Sequence, residues 1–334
     1  IKSVKIDNAN FSLSKNDFIL LNDVSNKKFS NKKIEINNSN IFFKDDSAEV
    51  ISIIKISKAF LFFDNKNLYN LFNLKGEVFK IPFNFDFKRK FDLLKDQEIN
   101  INAKALKLNI FNLANKEKNK FTKGKNVIST LNSIINTKYE IKDGINVFES
   151  NNSRIGNSKI YYSGEFSINP FNLDLSIDLG NYKISKLLSL NYTLADLIKT
   201  KLFYNENISA NISLTAISST KNEIFQKTKI NFDFSNGKIN LDKTRLTNKK
   251  IGFVELENSN LFTKNDKLIL NTDILININD SEELFSLLQT SKKSRKTITN
   301  VLISLDYDFL TKQILFKNVK INNNEVSDKL LRII

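Results

Sequence analysis

The sequence lacks several residue types entirely. It contains no cysteine, histidine, tryptophan or methionine, and only 8 glycines and 2 prolines in 334 residues. Without cysteine there is no disulfide framework from which to infer a redox compartment. Without histidine the chain lacks the usual general base near neutral pH and the commonest metal ligand. Because glycine and proline are scarce, we expect turns built mainly from Asn, Asp, Ser and Lys.

Long apolar runs are also absent. The longest, Val50–Ile54 and Ala59–Phe63, extend over about five residues, whereas a membrane-spanning helix needs ~20. The chain begins at Ile1 and has no methionine. We therefore expect it to be a fragment of a longer anchored protein, and the missing anchor carries no information about location.

The chain is moderately hydrophobic and strongly basic. Hydrophobic residues make up 41%, which is typical of a globular protein. The formal net charge is +15, which favours a polyanionic partner. Asparagine accounts for about one residue in seven. The joint excess of Ile, Lys and Asn is typical of an AT-rich genome, so part of the positive charge reflects codon usage.

The clearest pattern lies between Ser158 and Leu202. Apolar residues occupy even positions up to Asn169-Pro170 and odd positions after it. Alternation with a period of two predicts strands with one apolar face, and the change of parity predicts a tight reversal between them. The candidates for this face, and for a binding surface on it, are Ile160, Tyr162, Phe166 and Ile168, then Phe171, Leu173, Leu175 and Ile177, and further along the chain Phe232, Phe234, Ile239 and Leu241.

The same alternation recurs along the whole chain and predicts on the order of twenty strands. Helical spacing appears at 184–203 and at 281–289, the second after a capping pattern of Asp280 and Glu283, and Leu68–Leu74 is compatible with a single helical turn. The sequence therefore predicts an all-β protein with minor helix, built on a long antiparallel sheet. We expect one continuous region over 1–334, with a weak boundary in the lysine-rich segment 115–125.

Two short helices cannot cover the apolar face of so long a sheet, and that face must be buried against something. Two architectures satisfy this requirement. In one, the sheet curls along its length into an apolar groove, a shape called a β-taco. In the other, the strands pack as tandem β-sandwiches. A groove leaves a large apolar surface open, which usually marks a binding site.

Four segments carry a resemblance to a known family. They are Lys75–Phe85 (KGEVFKIPFNF), Gly164–Leu175 (GEFSINPFNLDL), Leu197–Asn211 (LIKTKLFYNENISAN) and Lys250–Leu261 (KIGFVELENSNL). They are similar to AsmA-like proteins of Gram-negative bacteria, a family related to TamB and YhdP. The resemblance extends from about Lys75 to Ile321. It implies a curled sheet with a hydrophobic groove in the periplasm, tethered to the inner membrane by an anchor not present in this chain. It also implies a role in phospholipid transport and outer-membrane biogenesis.

Few residues in the sequence are candidates for catalysis. The adjacent carboxylates Asp45-Asp46 lie on a predicted strand, where neighbours point to opposite faces, and Glu282-Glu283 suit a helix start. We expect no enzyme activity, cofactor or metal. Aromatic and basic residues interleave over Phe85–Phe91, as in single-strand nucleic-acid binders, but the same spacing is plain strand alternation. A nucleic-acid-binding module is therefore a minor alternative, and we expect no nucleic acid partner.

The sequence thus predicts a non-enzymatic envelope protein that binds and conducts phospholipid acyl chains between membranes. Candidates for contact with anionic head groups are Lys292, Lys293, Arg295 and Lys296, although such a basic run is commonly just a solvated face. The main alternative is a structural or adhesive all-β envelope protein with a closed core.

Overall fold

The computed structural model describes residues 3–14, 17, 24, 26–44, 49–91, 96–116, 121–168, 170–185, 208–218, 220, 223–264 and 267–326. These residues form 22 strands and one α-helix, so the all-β prediction with minor helix is confirmed. The chain divides into two compact units, Ile1–Asn157 and Ser158–Ile334.

The first unit contains eleven strands. They are β1 (Ser3–Asp7), β2 (Asn10–Leu13), β3 (Lys33–Lys44), β4 (Val50–Asp64), β5 (Tyr69–Val78), β6 (Ile81–Lys90), β7 (Asp96–Ala103), β8 (Leu108–Lys116), β9 (Thr122–Thr130), β10 (Ser133–Lys142) and β11 (Ile145–Ile155). From β3 to β11 each strand pairs with the next in antiparallel fashion. Strands β8 and β9, which flank 117–120 in the expected boundary segment, therefore pair directly with each other.

The second unit also contains eleven strands. They are β12 (Ser158–Ile168), β13 (Phe171–Gly180), β14 (Ile208–Ile217), β15 (Lys227–Ser235), β16 (Lys238–Asn240), β17 (Arg245–Asn248), β18 (Gly252–Lys264), β19 (Lys267–Ile278), β20 (Asn300–Asp308), β21 (Gln313–Ile321) and β22 (Asn324–Glu325). Strands β16 and β17 both lie between β15 and β18, as two pieces of one interrupted strand.

The prediction of a purely antiparallel sheet is wrong, because three pairings are parallel. Strands β1 and β2 both run parallel to β3, and β13 runs parallel to β14. Parallel neighbours cannot be joined by a tight turn and need a crossover connection. The long segments 14–32 and 181–207 are these connections. Alternation reports which face a side chain occupies but carries no signal of strand direction, so the sequence could not reveal this.

The α-helix α1 (Ser281–Leu287) agrees with the helix predicted at 281–289. The Asp280 carboxylate accepts hydrogen bonds from the backbone N–H groups of Glu282 and Glu283, as an N-cap does. Phe285 anchors the helix and is buried. The other predicted helix, at 184–203, falls almost entirely on 186–207, which lie outside the described residues.

Three strands carry an interruption with the same two residues, Asn followed by Ser. The serines are Ser39 in β3, Ser153 in β11 and Ser259 in β18, and all three are buried. Each hydroxyl oxygen accepts a backbone N–H from a neighbouring segment, with distances of 3.0, 2.8 and 2.6 Å to the nitrogens of Ala9, Asn136 and Leu241. Register shifts occur beside Ser153 and Ser259, as at β-bulges, whereas at Ser39 the pairing with β4 skips Asn38 without a change of register. The serine hydroxyl thus satisfies a backbone donor that the interrupted ladder leaves without a strand partner.

Candidate apolar binding face

The pairing register brings the first eight candidate residues onto one face of the second unit. Five of the cross-strand pairs between β12 and β13 place them there, namely Ile160 with Leu179, Tyr162 with Ile177, Gly164 with Leu175, Phe166 with Leu173, and Ile168 with Phe171. Directly opposed residues of an antiparallel pair share a face. The parity change at Asn169-Pro170 is therefore a hairpin reversal that keeps all the apolar side chains together.

The remaining four candidates join the same face through β14 and β15. Leu175 pairs with Ile212, Ile212 pairs with Phe232, and Phe234 pairs with Ile239. Leu241 follows β16 and packs against the cluster that contains Phe234 and Ile239. We call this side of the second unit its apolar face.

The apolar face continues to the far strands of the unit. Ile239 pairs with Leu261, and the same row continues through β18 to β21. Further members that these pairings place on it are Val254, Leu256, Leu268, Leu270, Ile274, Ile276, Val301, Ile303, Leu305, Phe316 and Val319.

The opposite side, the polar face, has a different chemistry. In β13 it carries Asn172, Asp174, Ser176 and Asp178, all exposed. An apolar face and a hydrated polar face on the same strands make the sheet strongly amphipathic.

Burial divides the twelve candidates into three groups. Ile160, Phe234 and Ile239 are fully buried in packed protein, with Ile239 at 0% exposure. Ile168 and Phe171 lie at the hairpin and are exposed to 69% and 39%. The rest are half-buried: Tyr162, Phe166, Leu173, Leu175, Ile177, Phe232 and Leu241. The central candidates on β13 are thus neither open to bulk water nor sealed in a core.

The first unit has an apolar face of the same kind. One row of cross-strand pairs runs from Ile41 through Ile54 to Val78, and another runs from Leu61 through Phe72 to Phe87. Ile56, Ala59 and Leu74 are its buried centre, against which Ile36, Ile41, Phe72, Phe83 and Phe85 pack. The strand alternation over Phe79–Phe87 belongs to this face as well, with Phe79 at the turn before β6, where it is 73% exposed.

A short segment closes one end of this first apolar face. The backbone N–H of Phe29 donates to the side-chain oxygen of Asn70, and the Asn70 amide donates to the carbonyl of Lys27. The backbone N–H of Phe63 donates to the carbonyl of Ser30, and the rings of Phe29 and Phe87 lie 6.5 Å apart. We call Lys27–Ser30 the closing segment.

Sequence reasoning missed Arg89, which lies on the first apolar face, at the end that the closing segment covers. It follows Phe83, Phe85 and Phe87 at the same parity in β6, and it is 8% exposed. Burial lowers the pKa of its guanidinium, which nevertheless remains protonated near neutral pH. The alternation alone contained this signal, because Arg89 falls on the apolar positions whereas Lys88 and Lys90 fall on the polar ones. The interleaved run Phe85–Phe91 is therefore divided between two faces.

The four head-group candidates do not form a uniform patch. Lys292, Lys293 and Lys296 are exposed. The Arg295 guanidinium instead donates to the Glu282 carboxylate at 2.6 Å and to the carbonyl of Thr290 at 3.2 Å. An arginine with these partners fixes the loop after α1, so only the three lysines are free to meet a ligand.

The two carboxylate pairs are placed separately. Glu282 pairs with Arg295, and Glu283 pairs with Lys250 at 3.2 Å. Asp45 and Asp46 lie outside the described residues. Across the ranges that are described, no group of three or more acidic side chains is placed to hold a metal ion.

The chain matches none of the protein-family models, curated proteins or solved structures with which it was compared. No helix in the described part of the chain has both the length and the apolar character needed to cross a bilayer.

Proposed function

We propose that this protein is a non-enzymatic lipid carrier whose apolar faces line a groove for phospholipid acyl chains. The observation that carries the proposal is the half-buried centre of the second apolar face. Leu173, Leu175 and Ile177 lie in the middle of paired strands yet retain partial exposure. A closed sandwich would exclude solvent from such positions, whereas a groove would shield them until a lipid replaced the water.

The energy of acyl-chain burial is sufficient for this role. Each CH₂ group removed from water contributes about 0.8 kcal/mol, so a chain of about fourteen carbons gains on the order of 10 kcal/mol. Since the face is similarly apolar from β12 to β21, a chain could slide along it without a large barrier.

The cellular setting is part of the proposal and follows from the resemblance to AsmA-like proteins. We propose a periplasmic location in a Gram-negative bacterium, attachment to the inner membrane through an anchor outside this chain, and a contribution to outer-membrane biogenesis. Lys292, Lys293 and Lys296 would contact anionic head groups, in which case binding to anionic vesicles would weaken as salt rises.

A structural or adhesive protein with a closed core is the second candidate, and one observation favours it. Ile239 and Leu268 are at 0% and 1% exposure, within a cluster that also contains Ala210, Phe234 and Leu261. These side chains are already packed by protein, which is the state that a closed core requires.

The change Leu175→Asp separates the two candidates. In a groove the new carboxylate can be hydrated, so the fold should survive while lipid binding falls. In a closed core it would be a buried unpaired charge and should unfold the unit. The measurements are a thermal melt and photocrosslinking to a diazirine-labelled phospholipid.

Two matched variants calibrate this experiment. Ser176→Asp places the same charge one residue away on the exposed polar face and should leave both the melt and the crosslink unchanged. Ile239→Asp places it at a fully buried position and should unfold the unit. A folded Leu175→Asp protein that crosslinks lipid like the wild type would defeat the groove, and an unfolded one would favour the closed core.

A further inference from the structure

Arg89 places a positive charge within a row of phenylalanines. Strand β6 carries Phe83, Phe85, Phe87 and Arg89 on one face, and the two neighbouring strands contribute Asn70 and Gln97 beside the arginine. At 8% exposure Arg89 is buried as deeply as Phe87, at 7%. The guanidinium therefore lies at one end of an apolar surface and not in bulk water.

The polar partners of Arg89 are few. Among the described residues its one hydrogen bond runs from Nη1 to the Gln97 side-chain oxygen at a long 3.4 Å, although a guanidinium carries five N–H donors. Among the described residues no carboxylate pairs with it. Asp96, close by in sequence, instead lies 4.0 Å from Lys90 and accepts a hydrogen bond from Asn115 at 2.9 Å.

No other side chain in the described part of the chain accepts a hydrogen bond from Arg89. Asn70, on one flank, is occupied by the closing segment through its oxygen and its amide. The ring of Phe91 lies 6.0 Å from the guanidinium carbon. Lys28 of the closing segment lies 5.0 Å from the centre of the Phe63 ring, and Phe63 pairs with Asn70. Two cations and several aromatic rings thus occupy this end of the face.

A buried charge without a counter-ion is costly, and a well-packed apolar residue in its place is commonly neutral or stabilising. The arrangement suits a ligand that brings the missing negative charge and also covers the rings. An arginine fork matches two oxygens of a phosphate group in a bidentate way. The adjoining Phe87, Phe85 and Phe83 suit an acyl chain.

We propose that Arg89 binds the phosphate group of an anionic phospholipid whose acyl chains lie along Phe87, Phe85 and Phe83. This inference rests on the proposed function and adds a head-group site at one end of the first apolar face. Lys28 provides a second positive charge for the same phosphate. The shared chemistry is a phosphate oxyanion, whether it comes from a lipid or from free phosphate.

The test compares Arg89→Met with Lys90→Met in the full chain. Methionine keeps an unbranched apolar stem in each case, and Lys90 is the next residue of β6, on the polar face. The probes are a fluorescent phosphatidylglycerol and a fluorescent diacylglycerol with the same chains. The wild type and Lys90→Met should prefer phosphatidylglycerol by roughly tenfold or more, as expected for a charge-assisted contact. Arg89→Met should bind both lipids equally and should melt no lower than the wild type.

Each other outcome has a defined meaning. A wild type that binds both lipids equally would overturn the head-group site and leave the groove intact, whereas one that binds neither would defeat the groove itself. If millimolar inorganic phosphate abolishes the preference, the site belongs to free phosphate and the lipid assignment is wrong. An Arg89→Met protein that unfolds would contradict the premise of an uncompensated charge. Arg89→Lys, which keeps the charge and loses the fork, should fold and show a reduced preference.

Discussion

Each unit contains a long strand that is interrupted at an Asn-Ser pair beside two shorter strand pieces. In the two units those pieces run in opposite directions relative to the long strand. In the first, Asn38 and Ser39 interrupt β3 beside the gap between β1 and β2, which run parallel to it. In the second, Asn258 and Ser259 interrupt β18 beside the gap between β16 and β17, which run antiparallel to it. Both asparagines adopt a left-handed backbone, with φ of 47° and 49°, a conformation that asparagine tolerates better than most residues.

The two serines differ in what they bind. Ser39 accepts from the backbone N–H of Ala9 and donates to the carbonyl of Asn37 at 2.7 Å. Ser259 accepts from the N–H of Leu241 and donates to the Asp242 carboxylate at 2.6 Å. The comparison teaches that the interruption needs only a small hydroxyl beside an orphaned N–H, since the direction of the neighbouring strand does not matter to it. The carboxylate makes the second version the stronger one.

The largest expected effect on stability comes from Gly252, the first residue of β18. Gly252 has φ of +143°, and a Cβ atom there would lie 2.0 Å from the backbone oxygen of Asn277. We expect Gly252→Ala to destabilise the second unit by about 2–4 kcal/mol, because the backbone must shift and adopt a strained conformation. Gly144, in the first unit, has φ of +83° and open space around it, so Gly144→Ala should cost only about 1 kcal/mol. Chemical denaturation measures both, and equal costs would contradict the close approach.

The intermediate effect on stability compares the two interrupted strands directly. Ser259→Ala removes a bond to a carboxylate and leaves the Leu241 N–H unsatisfied, so we expect a loss of about 2 kcal/mol. Ser39→Ala removes only neutral bonds and should cost about 1 kcal/mol. Ser163→Ala, on the exposed side of β12, is the control and should change stability by less than about 0.5 kcal/mol. The free energy of unfolding from urea titration checks the order, and a larger cost at Ser39 would reverse the comparison.

The smallest expected effect is on the pH dependence of stability, to which two aspartates beside turns contribute. Asp64, the last residue of β4, and Asp308, the last residue of β20, each accept two backbone N–H groups of the following turn. At Asp308 burial alone would raise the pKa, but hydrogen bonds from Lys267 and Thr311 lower it further than burial raises it. At Asp64 the Asn67 side chain and backbone lower the pKa. Because both pKa values lie below the unfolded value, their stabilisation is present above about pH 4 and is lost as the pH falls through the folded pKa.

We therefore expect Asp308→Asn to flatten the decline of stability between about pH 4 and pH 2 more than Asp64→Asn does, because only Asp308 also has a lysine partner, 3.0 Å away. Urea midpoints measured at a series of pH values test this. An acid dependence left unchanged by Asp308→Asn would show that other carboxylates determine it.

Much of the candidate site was predictable from the sequence. Alternation alone identified Leu173, Leu175 and Ile177 as one set, and the register places them with Phe232 on a single face. The Asp280 cap was an equally local signal. The segment Leu68–Leu74, which is compatible with a single helical turn, is instead a strand from Tyr69 onward, because the pairing of β5 with β4 and β6 outweighs a weak local preference.

What the sequence by itself determined is the face that each side chain occupies, because backbone geometry fixes the period of two within every strand. Only the tertiary structure decided which strands are neighbours and in which direction they run, since both depend on contacts between residues far apart in the chain. It also decided that Arg89 lies beside amides and rings with no carboxylate opposite it among the described residues. That environment comes from β5, β7 and the closing segment, and no pattern within β6 encodes it.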